Sequence, residues 1–156
     1  MTDGVPSGSF LTEEQSRSLL ILLNMIVPPN KGQGLPGAGE LDFVGYVREF
    51  APDQIEAVQN ELDLLDQASQ SQYQRRFADL DQNEQDSLVG RMRKQDVEFA
   101  LHIVVQTMGC YYQDDKVVIA LGMEARPPFP KGNDVVSGDL SLLDPVREKK
   151  QIYKDV

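Results

Sequence analysis

Apolar residues first take up a helical rhythm at Leu19, Leu22, Leu23 and Ile26, the i, i+3, i+4, i+7 spacing that lines one face of a helix. Thr12 with Gln15 three residues later matches a capping box, so the pattern predicts a first helix that follows Thr12 and stops at Pro28-Pro29. Between Pro28 and Gly39 stand four glycines and three prolines, which disfavour regular structure and predict a long loop. Phe43, Val44 and Val47 then predict a short second helix over 40–50. Pro52 suits the first turn of a third helix, whose stripe is Ile55, Val58, Leu62 and Leu65.

After a polar stretch at Ser69 to Gln74, Asp81 and Glu84 are spaced as a capping box ahead of Leu88, Val89 and Met92, a fourth helix. Asp96 is placed to cap a fifth, with Val97, Leu101, Val104, Val105 and Met108 toward the core until Gly109 weakens it. Asp114 starts a short sixth that ends at Gly122. Beyond it, Arg126-Pro127-Pro128-Phe129-Pro130 favours an extended, polyproline-like path, and 132–156 shows no sustained helical period. The prediction is an all-α fold, an irregular bundle of about five to six helices with a long Pro-containing loop and an extended C-terminal arm. Residues 1–10 read as a flexible leader, 11–125 as the helical domain and 126–156 as the arm.

A length of 156 residues fits one core, and 40% hydrophobic residues are adequate to fill it. The formal charge of −10 changes the functional picture, because an acidic surface repels a polyanion; nucleic acid is therefore excluded as a partner. The longest apolar run, Leu19 to Val27 with Asn24 inside it, is nine residues, against about 20 for a membrane span, so no transmembrane segment is expected. Met1-Thr2-Asp3-Gly4 has neither a basic region before an apolar stretch nor a twin arginine. The chain reads as cytoplasmic, or periplasmic if co-exported with a signal-bearing partner.

Chemistry-bearing groups are sparse. Gly32-Gln33-Gly34-Leu35-Pro36-Gly37 spells a dinucleotide fingerprint, but that motif works between a strand and a helix; here it follows a helix and a double proline, which makes it a plain Gly/Pro loop. Asp79, Asp81 and Asn83 alternate like the opening of a calcium loop, yet Glu84 stands where glycine is required and Gly90 where the bidentate Glu belongs. His102 is the sole histidine and reads as a hydrogen-bonded core residue rather than a base. Cys110 is the sole cysteine and reads as a small buried hydrophobe, and the two together do not complete a zinc site. No catalytic, cofactor-binding or metal-binding residue is expected in this chain. Tyr111 and Tyr112, followed by Arg126, Pro127, Pro128, Phe129 and Pro130, bring aromatics and a preformed extended segment together. That set is the candidate partner interface, or else Phe129 tacks the arm onto its own domain.

The run Gly109-Cys110-Tyr111-Tyr112-Gln113-Asp114-Asp115-Lys116-Val117, continued by Ala120-Leu121-Gly122-Met123-Glu124-Ala125-Arg126-Pro127-Pro128-Phe129-Pro130-Lys131-Gly132, resembles the gluconate 2-dehydrogenase subunit 3 family. Leu11 to Gln15 leading to Ile26-Val27-Pro28-Pro29, Pro36-Gly37-Ala38 before a helix, and Phe77 to Leu80 before Glu84-Gln85 extend the likeness over roughly 11–132, and the tail from Gly138 to Arg147 is similar too. The resemblance implies a helical small subunit, from a bacterial complex, paired with a large FAD-containing subunit of the glucose-methanol-choline oxidoreductase type. It also implies a cytochrome c subunit in some such complexes. Flavin and catalytic residues then belong to the large subunit, which oxidises a sugar, glycoside or sugar acid. The small one aids its folding, stability or export. Members often carry a twin-arginine export signal, which is not found here. The alternatives are a stand-alone chaperone-like protein for a flavoprotein client and an independent enzyme using acidic residues with Tyr111 or Tyr112.

Overall fold

The computed structural model describes residues 9–125 and 138–149, and the chain divides into two units, one ending at Ala125 and the other beginning at Arg126. Six α-helices form the first unit: α1 (Glu13–Ile26), α2 (Phe43–Phe50), α3 (Ile55–Tyr73), α4 (Gln82–Gln95), α5 (Leu101–Gln113) and α6 (Asp115–Ala120). Single 3-10 turns at Ala38–Glu40, Pro52–Gln54 and Phe77–Asp79 join them, and the described residues contain no strand beyond an isolated bridge between Asn30 and Leu35. The fold is all-α.

Local sequence sets the helix ends. The Thr12 hydroxyl accepts the N–H of Gln15 at 3.1 Å while the Gln15 side chain accepts the N–H of Thr12 at 3.0 Å. Asp81 and Glu84 repeat the reciprocal arrangement at 2.9 and 3.0 Å. Each box satisfies two N–H groups that a helix leaves without partners. Both helices therefore begin where the spacing predicts. The third helix runs further than expected, through Ser69 to Tyr73; the buried Ser69 hydroxyl donates to the Arg75 carbonyl at 2.8 Å just past the helix end, and Gln74 ends the helix in the left-handed region at φ 56°.

α1, α3 and α5 pack against one another, with α2 on α5 and α4 on α3. Leu19, Leu22 and Leu23 of α1, Val58, Leu62 and Leu65 of α3, and Ile103 of α5 are buried, together with Phe77 from the turn before α4. The stripes expected of α1 and α3 are the buried ones, with Ile26 and Ile55 only partly covered.

The fifth helix differs from its prediction in three ways. Asp96 accepts the N–H of Glu98 at 2.9 Å and so caps a turn over 97–100; the helix starts at Leu101, after Ala100 at φ 59°. Val97, Leu101, Val104, Val105 and Met108 lie on the exposed side, and the core takes Ile103, Thr107, Cys110 and Tyr111 instead. Gly109 does not weaken the helix, which continues to Gln113. A Cβ at Gly109 would collide with the Tyr46 hydroxyl, so the missing side chain is what lets α5 lie close to α2.

In the second unit, Leu140–Leu143 forms a 3-10 turn that leads into α7 (Asp144–Arg147), where the sequence showed no sustained period. Asp139 supplies the cap by accepting the Ser141 N–H at 3.0 Å, and Pro145 fits the first turn of α7.

Candidate interaction surface

Tyr111 and Tyr112 are neighbours in sequence with opposite surroundings. Tyr111 is 4% exposed and its hydroxyl donates to the Pro36 carbonyl at 2.9 Å, pinning the 28–39 loop to α5. Burial, then Tyr112, Asp114 and Glu40, raises its pKa, so the phenol remains a donor. Tyr111 is thus an internal anchor rather than a surface group. Tyr112 is 54% exposed and stands edge-on to Tyr111, with ring centroids 5.5 Å apart and planes at 87°. Arg126, Pro127, Pro128, Phe129 and Pro130 lie outside the described residues.

Tyr112 extends a longer surface. Leu101, Val104, Val105, Met108 and Tyr112 are all exposed, and at about 100° per residue they fall within one narrow stripe of α5. Ile103, Thr107, Cys110 and Tyr111 fall on the adjoining, buried side. A helix that is apolar all round belongs in an interior, yet among the described residues only one side of α5 is buried. Ile119, Leu121 and Met123 add exposed apolar side chains in and just after α6. The sequence carried this signal as two interleaved apolar stripes on one helix; periodicity alone does not say which is covered.

The stripe starts at a helix end held from another element. The buried Glu61 of α3 accepts the N–H groups of His102 at 3.1 Å and Ile103 at 3.0 Å, one on each carboxylate oxygen, and Glu61 Oε1 lies 2.7 Å from His102 Nδ1. A carboxylate at a helix N-terminus meets both unpaired donors and the positive end of the dipole. His102 is hydrogen-bonded as expected, but its side chain is 49% exposed and is not a core residue. Thr107, which is fully enclosed, satisfies its hydroxyl on the Ile103 carbonyl at 2.6 Å.

The remaining candidates have structural employment. Cys110 is buried, and burial followed by the charges of Asp114 and Asp42 pushes its thiol from 9.0 up to about 11, which keeps it protonated and unreactive at neutral pH. Gly34 takes φ +68° in the turn closed by Asn30 and Leu35, Gly37 donates to Glu40 at 2.8 Å, and Gly39 donates to Asn24 at 3.2 Å. The glycine run therefore shapes a loop between α1 and the Ala38–Glu40 turn. Asp79 pairs with Arg17 at 2.8 Å and Asp81 caps α4. Among the described residues no three His, Cys, Asp or Glu side chains converge as a metal site, and no helix is long and apolar enough to cross a membrane.

The family model described as Gluconate 2-dehydrogenase subunit 3 matches residues 13–123, which takes in every helix of the first unit. Comparison with curated proteins and with solved structures gives no match.

Proposed function

Because the chain belongs to the gluconate 2-dehydrogenase subunit 3 family, we propose that it is the non-catalytic small subunit of a heteromeric FAD-dependent dehydrogenase that oxidises a sugar, glycoside or sugar acid. The family is that of a small subunit of a dehydrogenase complex. The large subunit holds the flavin and does the chemistry, and this chain supports its folding, stability or export. A cytochrome c subunit is a further candidate member of the complex. The supporting observation is α5, where five exposed apolar side chains line up on one side of a single helix, as a surface completed by another subunit would.

Residues 126–130 are a second proposed partner contact, read from sequence, with Phe129 its aromatic anchor and Arg126 a donor to partner carboxylate or carbonyl groups. Co-expression with the large flavoprotein subunit of the same dehydrogenase tests the proposal. A stable complex that survives purification is expected; a chain that leaves its client after maturation would instead be a chaperone.

A further inference from the structure

We infer that the exposed stripe of α5 docks on an apolar surface of the large subunit that is rimmed by lysine and arginine; this rests on the subunit reading above. Two observations select this occupant. The first is the continuous stripe of Leu101, Val104, Val105, Met108 and Tyr112. Single exposed apolar residues need no explanation, but a contiguous helical stripe of five marks a binding face, read by a partner as i, i+4, i+7 and i+11 anchors.

The second is charge. Asp96 and Glu98 precede α5 in sequence and Asp114 and Asp115 follow it, against Lys116 at the same end and Arg93 in the cleft beside Val104. The chain as a whole carries −10. Two copies meeting through this face would bring like charges around a shared apolar centre, which disfavours a homodimer. A lipid surface fits no better: helices that lie on membranes carry Lys and Arg on the polar face, and anionic headgroups repel an acidic rim. A different protein with a basic rim satisfies both the apolar centre and the charge around it.

The stripe is also presented rigidly. Glu61 fixes the start of α5, Gly109 seats it against Tyr46, and Tyr111 ties it to the 28–39 loop. A pre-ordered helix loses little conformational entropy on docking.

The test uses the full chain and the FAD-loaded large subunit of its own dehydrogenase, with binding followed by surface plasmon resonance across ionic strength. Val105→Asp and Leu101→Asp should each weaken binding about thirty-fold or more with unchanged circular dichroism, while Asn60→Asp on α3 should bind like the parent chain. The pair Glu98→Gln with Asp115→Asn should slow association and flatten its salt dependence while leaving dissociation nearly unchanged. If the parent chain binds but the α5 variants bind equally well, the stripe is not the interface and the subunit reading stands. If association of the parent chain does not slow as salt rises, the basic rim is wrong. If it fails to bind at all, or dimerises through α5, both the occupant and the subunit reading are overturned.

Discussion

Glu61 of α3 receives His102 twice, on its backbone N–H at 3.1 Å and on its ring Nδ1 at 2.7 Å, and so closes the start of a helix forty residues further along the chain. Its second oxygen takes the N–H of Ile103, leaving no donor in that first turn to a side chain of α5 itself. Glu61→Ala removes both acceptors at a buried helix end and should destabilise the chain by about 2 kcal/mol or more. Glu61→Gln retains one acceptor and should cost less, and His102→Gln, at an exposed ring, least of all. Urea denaturation of the three variants checks the order; a His102→Gln effect as large as that of Glu61→Ala would contradict it.

The two sides of α5 should respond oppositely in the free chain. Ile103→Ala creates a cavity at a fully enclosed site and should cost about 2–4 kcal/mol, whereas Val105→Ala should stay within about 0.5 kcal/mol of the parent. Comparable losses from both would mean that the stripe is covered by this chain after all.

Gly109 offers a substitution whose sign is unusual. Ala in place of Gly inside a helix normally stabilises by roughly 0.5–1 kcal/mol. Here the added methyl meets the Tyr46 hydroxyl, so Gly109→Ala should destabilise by about 1–2 kcal/mol, and Tyr46→Phe in the same chain should restore part of the loss. Thermal unfolding of the single and double variants measures this, and a stabilised Gly109→Ala would show that the helices have room to move apart.

Cys110 should be almost inert to a thiol reagent at pH 8 in the folded chain and react fully once unfolded. Its raised pKa favours the folded state through the neutral thiol. That contribution is complete below the ordinary value of 9.0, declines as pH rises, and is gone above about 11. Rapid labelling of the folded chain at pH 8 would contradict the buried placement.

Much of this fold was legible in the sequence wherever local chemistry decides it. Thr12 with Gln15 and Asp81 with Glu84 are self-contained caps, and the stripe of α3 has mostly polar residues opposite it, so its buried side was readable. The fifth helix was not, because both its sides are apolar and its cap comes from Glu61, far away in sequence. The same ambiguity placed His102 in the core, while Tyr111 was read as an interface residue from its nearness in sequence to Tyr112 and the 126–130 segment. The exposed stripe became visible only when the covered side of α5 was known, and Tyr112 is the candidate interface residue common to both readings.

The central claim is that this chain supports oxidation without performing it, and flavin accounting on purified components tests that most directly. Absorbance and sugar-dependent dye reduction should be measured on the isolated chain, the large subunit, and the two together. The account predicts no saturable FAD binding at micromolar concentration and no turnover by the isolated chain, with flavin and turnover in the complex tracking the large subunit. Saturable FAD binding together with substrate oxidation by the pure chain would contradict it.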